Sequence, residues 1–113
     1  HAALIRPKFE LIENILTDEI APRGIGSWIK PLGGYFFGFE ALPGCAKEIV
    51  AKCKEAGVTM TGAGSPFPYK KDPEDSVIRI APTYPSIDEL KKAAEVFVVV
   101  TRLVSVNKIL EKN

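Results

Sequence analysis

The chain has 113 residues, 46% hydrophobic and 26% charged, a length and balance that fit one small soluble domain with a modest core. Fifteen basic side chains against fourteen acidic ones leave a net charge of +1, which excludes an electrostatic footprint for nucleic acid or an anionic membrane. One histidine and two separated cysteines exclude a zinc site of the usual kind. No charged-then-apolar leader and no apolar stretch of membrane-spanning length is read in the chain, so a cytoplasmic protein is expected.

The first segment repeats apolar residues at helical spacing through Ile5, Phe9, Ile12 and Leu16, with Leu4, Leu11 and Ile15 widening the stripe. Pro7 requires this helix to start there or to bend there, and Pro22, Gly24 and Gly26 end it. Two β-prone runs follow, Ser27–Lys30 and Tyr35–Glu40, joined by Pro31-Leu32-Gly33-Gly34. The turn chemistry between them predicts a hairpin. Pro43-Gly44 opens a helix from Cys45 to Ala56 with Ala46, Ile49, Val50 and Cys53 buried, and Gly57 stops it in the left-handed conformation. Cys45 and Cys53 would then lie roughly 12 Å apart along one helix axis, too far for a disulfide.

A strand over Val58–Thr61 is expected next, and then a long aperiodic stretch, Gly62–Ser76, rich in glycine and proline. Within it Lys70-Lys71 and the acids Asp72, Glu74 and Asp75 read as a solvated loop. A last strand, Val77–Ala81, leads to Ser86-Ile87-Asp88-Glu89, the signature of a capping box. The six valines from Val96 to Val106 favour strand when read alone. The capped start and the spacing of Leu90, Ala94, Phe97, Thr101 and Val104 favour helix, which is the expectation kept here. Its apolar surface wraps around the helix, so it needs neighbours on more than one side. The order predicts a two-layer α+β domain, a small and mostly antiparallel sheet with helices packed on one face, spanning residues 1–113.

Few residues offer chemistry. Arg79 alternates with Ile78 and Ile80, so a strand presents it on the face opposite both, where its planar fork could pair with a carboxylate. Read locally, an arginine on the solvent face of a half-buried strand is the simpler account. Tyr35 and Phe36 point to opposite faces of their strand; one packs in the core and the other is free to line a pocket. Gly62-Ala63-Gly64 follows a strand but Pro66 and Pro68 prevent a helix behind it, so a turn is expected and not a phosphate site. Neither cysteine, nor Ser65 or Ser76, has a base set beside it by sequence. No nucleophile, metal cluster or acid–base pair emerges.

Several stretches together resemble the small C-terminal domain of class I/II aminotransferases of fold type I. They are Trp28-Ile29-Lys30-Pro31-Leu32-Gly33-Gly34-Tyr35-Phe36, then Ala56-Gly57-Val58 with Gly62-Ala63-Gly64-Ser65-Pro66-Phe67-Pro68-Tyr69, and Ser76-Val77-Ile78-Arg79-Ile80-Ala81-Pro82. The opening His1 to Phe9 and the Phe67-Pro68-Tyr69 loop resemble an aspartate-aminotransferase-like, regulator-related subgroup. The resemblance implies transfer of an amino group between an amino acid, aspartate-like in that subgroup, and a 2-keto acid, with pyridoxal 5'-phosphate as cofactor. It implies Arg79 as the clamp for the substrate carboxylate and Tyr35 as a wall of the substrate pocket. It places the catalytic lysine and most of the cofactor contacts on a large domain of the same chain that lies outside these residues. The parent is then expected to be a homodimer, and these residues alone to be inactive. A free-standing, non-catalytic α+β module that binds a ligand or partner is the alternative.

Overall fold

A computed structural model describes residues 2–29, 36–64, 71–82 and 86–111, with side chains of the first helix from Arg6 onward. Helix α1 runs Ala2–Glu19, so it begins ahead of Pro7 and carries the proline inside. Its buried face is Ile12 and Leu16, with Phe9 and Ile15 partly covered, as the spacing predicts. A single 3-10 turn over Ala21–Arg23 follows, and Gly24 closes it with a left-handed backbone, φ 65°.

Strands β1 (Gly26–Ile29) and β2 (Phe37–Ala41) pair antiparallel, as a hairpin requires. Helix α2 covers Ala46–Glu55 and buries Ala46, Ile49 and Cys53. It ends in a Schellman arrangement. The N–H of Gly57 (φ 87°) donates to the carbonyl of Lys54, and that of Val58 donates to Cys53. This corrects the expected strand boundary. The Val58 N–H is spent on the helix end, so strand β3 is Thr61–Ala63, and Gly62 and Ala63 belong to the sheet and not to a turn.

Strand β4 (Val77–Ile80) lies between β2 and β3, giving an all-antiparallel sheet in the order β1-β2-β4-β3. Helix α3 spans Ile87–Glu111 through the whole valine-rich segment. Its start is the capping box: the Ser86 Oγ accepts the Glu89 N–H at 3.3 Å, and the Glu89 carboxylate accepts the Ser86 N–H at 3.2 Å and its hydroxyl at 2.9 Å. Those hydrogen bonds from Ser86 hold the Glu89 carboxyl below the usual carboxylate range.

The helices share one face of the sheet. Phe37 meets Phe9 of α1 with ring centroids 4.9 Å apart, Phe39 meets Phe97 of α3 edge-on at 5.1 Å, and α2 packs against β3 and β4. Phe37, Phe39, Ile78 and Ile80 are fully buried on that face. The register leaves Ile29, Gly38, Arg79 and Gly62 in one transverse row on the other face. The core therefore lies on one side, and the second face of the sheet carries no helix of the described residues.

The acidic segment before β4 corrects a second expectation. It is a connector that ties α2 to β4, and not merely a solvated loop. The Asp72 carboxylate accepts the N–H groups of Ser76 and Val77 at 3.0 and 2.8 Å. The Asp75 carboxylate accepts the Lys47 N–H at 2.9 Å, and its carbonyl accepts the Ala46 N–H at 3.0 Å. No helix among the described residues is long and apolar enough to cross a membrane.

Candidate functional site

Strand alternation places Arg79 as the sequence pattern predicts. Ile78 and Ile80 point into the core with no exposed surface, and Arg79 stands exposed on the open sheet face. Its partners across the ladder are Gly38 on β2 and Gly62 on β3. The side chain leans over β3, where Nη2 makes a long 3.5 Å contact with the carbonyl of Ala63. No carboxylate among the described residues forms an ion pair with it. Most of the guanidinium's donors therefore have no partner among the described residues.

Beside Arg79 lies a depression of about 290 Å³ whose walls include Phe36, Met60, Thr61, Gly62 and Ala81. Phe36 is the half-buried aromatic that lines it, which answers one half of the choice left open between Tyr35 and Phe36. Tyr35 itself, with Gly33 and Gly34, lies outside the described residues. A fixed cation above apolar walls is a place to hold an anion by a charge-assisted fork while part of its surroundings excludes water. Met60 and Gly62 carry no local pattern that points to this role, and Phe36 is only one of two alternatives. Their signal is non-local, since they converge only when β2, β3 and β4 pair.

The other candidates stay apart from this site. Burial pushes the Cys53 thiol up to about 11 and raises the Cys45 thiol as well, so neither is a nucleophile at neutral pH. Both cysteines are free and buried. No group of His, Cys, Asp and Glu among the described residues could hold a metal ion. Ser76 is buried next to Asp72 and serves the connector.

Comparison with known proteins adds the context that geometry lacks. The family model described as aspartate amino-transferase matches residues 1–113. A Mycolicibacterium smegmatis protein named as an inferred aminotransferase is 50% identical over 95 residues, covering 84% of this chain and 22% of that protein. An aspartate aminotransferase of Corynebacterium glutamicum is 41% identical over a stretch of the same length, with the same shares. The crystal structure of an aspartate transaminase from Corynebacterium glutamicum superposes with a TM-score of 0.85 at 37% identity, over 96% of this chain and 26% of that one. The chain thus spans about a quarter of the length of these relatives.

Proposed function

The chain belongs to the aspartate amino-transferase family, and we propose that it is the substrate-side, C-terminal domain of a pyridoxal-phosphate-dependent enzyme that moves an amino group between an amino acid and a 2-keto acid. The observation that carries this reading is Arg79, without an ion pair among the described residues, on the open sheet face beside a partly apolar depression. In that setting the guanidinium binds the substrate's α-carboxylate through two parallel hydrogen bonds and fixes its orientation. Phe36, Met60 and Ala81 give the depression beside it a partly apolar lining, and an apolar surround strengthens such a pair.

Among the described residues, the walls of the depression carry one cation and neither a lysine nor a carboxylate. They do not fit a site for the cofactor on their own, and no step through it is assigned to them. In this reading the cofactor, which supplies the electron sink for the reaction, is held by the rest of the enzyme, on a larger domain of the same chain. These residues alone are then inactive.

The test separates carboxylate binding from everything else. In the full-length enzyme, the amino acid is compared with the amine that lacks only its α-carboxylate. The wild type should prefer the amino acid by roughly two orders of magnitude in kcat/KM, and Arg79→Ala should erase most of that preference. An Arg79→Ala enzyme that discriminates as well as the wild type would overturn the reading.

A further inference from the structure

We infer that Gly62 is a positioning residue for Arg79: the missing side chain lets the guanidinium lie across β3 and sets the direction in which its fork points. The inference rests on the reading of Arg79 as the carboxylate anchor and assigns a second residue to the same site.

Gly62 and Arg79 are direct partners in the β3–β4 register. A Cβ placed on Gly62 would lie 3.1 Å from Nη2 and 3.6 Å from both Cζ and Nε of Arg79, and these are the three nearest heavy atoms. The first of these distances is shorter than ordinary van der Waals contact, so even a methyl group displaces the fork by a few tenths of an ångström. Nothing in the backbone asks for glycine here. Gly24, Gly57 and Gly64 have φ of 65°, 87° and 105° with nothing within 4 Å, which is glycine used for conformation. Gly62 has no such φ, sits in a regular strand, and the atoms nearest a Cβ there all belong to Arg79. In an edge strand a residue of that kind is free to carry a side chain unless something must occupy its space. Here the occupant is the guanidinium.

Among the described residues the fork also has no tight hydrogen bond to hold it, because its contact with the Ala63 carbonyl is 3.5 Å long. Its direction is set by the surface it rests on. A side chain at position 62 lifts it from that surface and turns it away from the depression.

The experiment uses the full-length enzyme with Gly62→Ala, Gly62→Val, Arg79→Lys and the Gly62→Ala/Arg79→Lys double variant. Gly62→Ala should raise KM for the amino acid by about 3- to 10-fold with a smaller change in kcat, and Gly62→Val should cost on the order of 100-fold in kcat/KM, since small misplacements of an orienting group are amplified. The melting temperature of Gly62→Ala should match or slightly exceed the wild type's. Its defect should vanish for the amine that lacks the α-carboxylate, and the double variant should be no worse than Arg79→Lys alone. If Arg79→Lys is impaired while Gly62→Ala is silent, or if the two defects add independently, the positioning role is wrong and the anchor survives. If Arg79→Lys is itself silent, both fall. A Gly62→Ala enzyme that melts below the wild type would also contradict the assignment, because β3 would then need glycine for its own backbone.

Discussion

The carboxylate of Asp75 accepts the backbone N–H of Lys47 at 2.9 Å, across 28 positions of sequence. The N-terminal residue flanking α2 is Cys45, which makes no side-chain cap of its own, so Asp75 caps this helix from a distance. Its carbonyl adds the Ala46 N–H, and its own φ is 53°, in the left-handed region.

Asp75→Ala should therefore lose both a cap and a residue type that tolerates that backbone. Urea unfolding should show a loss of about 1–3 kcal/mol, the sum of a lost cap and a left-handed alanine. Asp75→Asn keeps an acceptor and the tolerance, and should cost well under half as much. Equal losses for the two variants would mean the carboxylate's charge, and not its geometry, matters.

Gly26 makes room for a ring. A Cβ there would strike Cζ of Phe39, and Cε1 would lie 2.9 Å away. The ring cannot retreat, because it is fully buried and packed edge-on against Phe97. Gly26→Ala should destabilise the protein by about 1–3 kcal/mol, the range for overpacking a filled core. Phe39→Leu costs stability alone, but in its presence the added methyl should cost much less. Additive losses in a double-mutant cycle would show that the clash is relieved elsewhere.

These two residues mark where the fold stopped being legible from the sequence. The helix stripes, the capping box at Ser86 and the helical reading of the valine-rich segment all rest on local spacing, and the structure agrees with them. Arg79 was legible for the same reason, since an arginine between two isoleucines in a strand has only one face to occupy. Gly26 and Gly62 carry the local signature of turns, yet each answers to a side chain on another strand. Asp75 reads as loop charge because its partner is on α2. The start of β3 lies later than the local pattern predicts, because a strand-prone valine, Val58, is spent in closing a helix. Tyr35 lies outside the described residues.

The two thiols carry a pH prediction. Burial pushes Cys53 up to about 11 and raises Cys45, while an unfolded thiol titrates at about 8.5. Between the unfolded value and about 11 the unfolded chain has lost a proton that the folded chain keeps, so stability is present below this window and falls as pH rises through it. Unfolding curves at successive pH values should show that fall, and Cys53→Ala should make it shallower. At neutral pH both thiols should resist alkylation until the protein unfolds. Rapid labelling of Cys53 in the folded protein would contradict the buried placement.

On α3 a second apolar stripe faces away from the core. Val99, Leu103, Val106 and Leu110 follow one another at helical spacing and are 62%, 50%, 52% and 64% exposed. The opposite side of the helix buries Leu90, Ala94, Phe97, Thr101 and Val104. Residues 1–113 produced alone should self-associate and bind dyes that report apolar surface, and Leu103→Glu with Leu110→Lys should shift them toward monomer. Light scattering that finds a clean monomer at high concentration, with no dye binding, would count against it.

The central claim is that Arg79 anchors the substrate carboxylate in the intact enzyme, and Arg79→Lys tests it most directly. Lysine keeps the positive charge and removes the planar fork, so orientation is lost along with affinity. Steady-state kinetics of the full-length variant should show kcat/KM lower by roughly two orders of magnitude, equivalent to about 2.7 kcal/mol, with fold and cofactor absorbance nearly unchanged. Near wild-type kcat/KM for every amino acid tested would return Arg79 to an ordinary arginine on the outer face of a sheet.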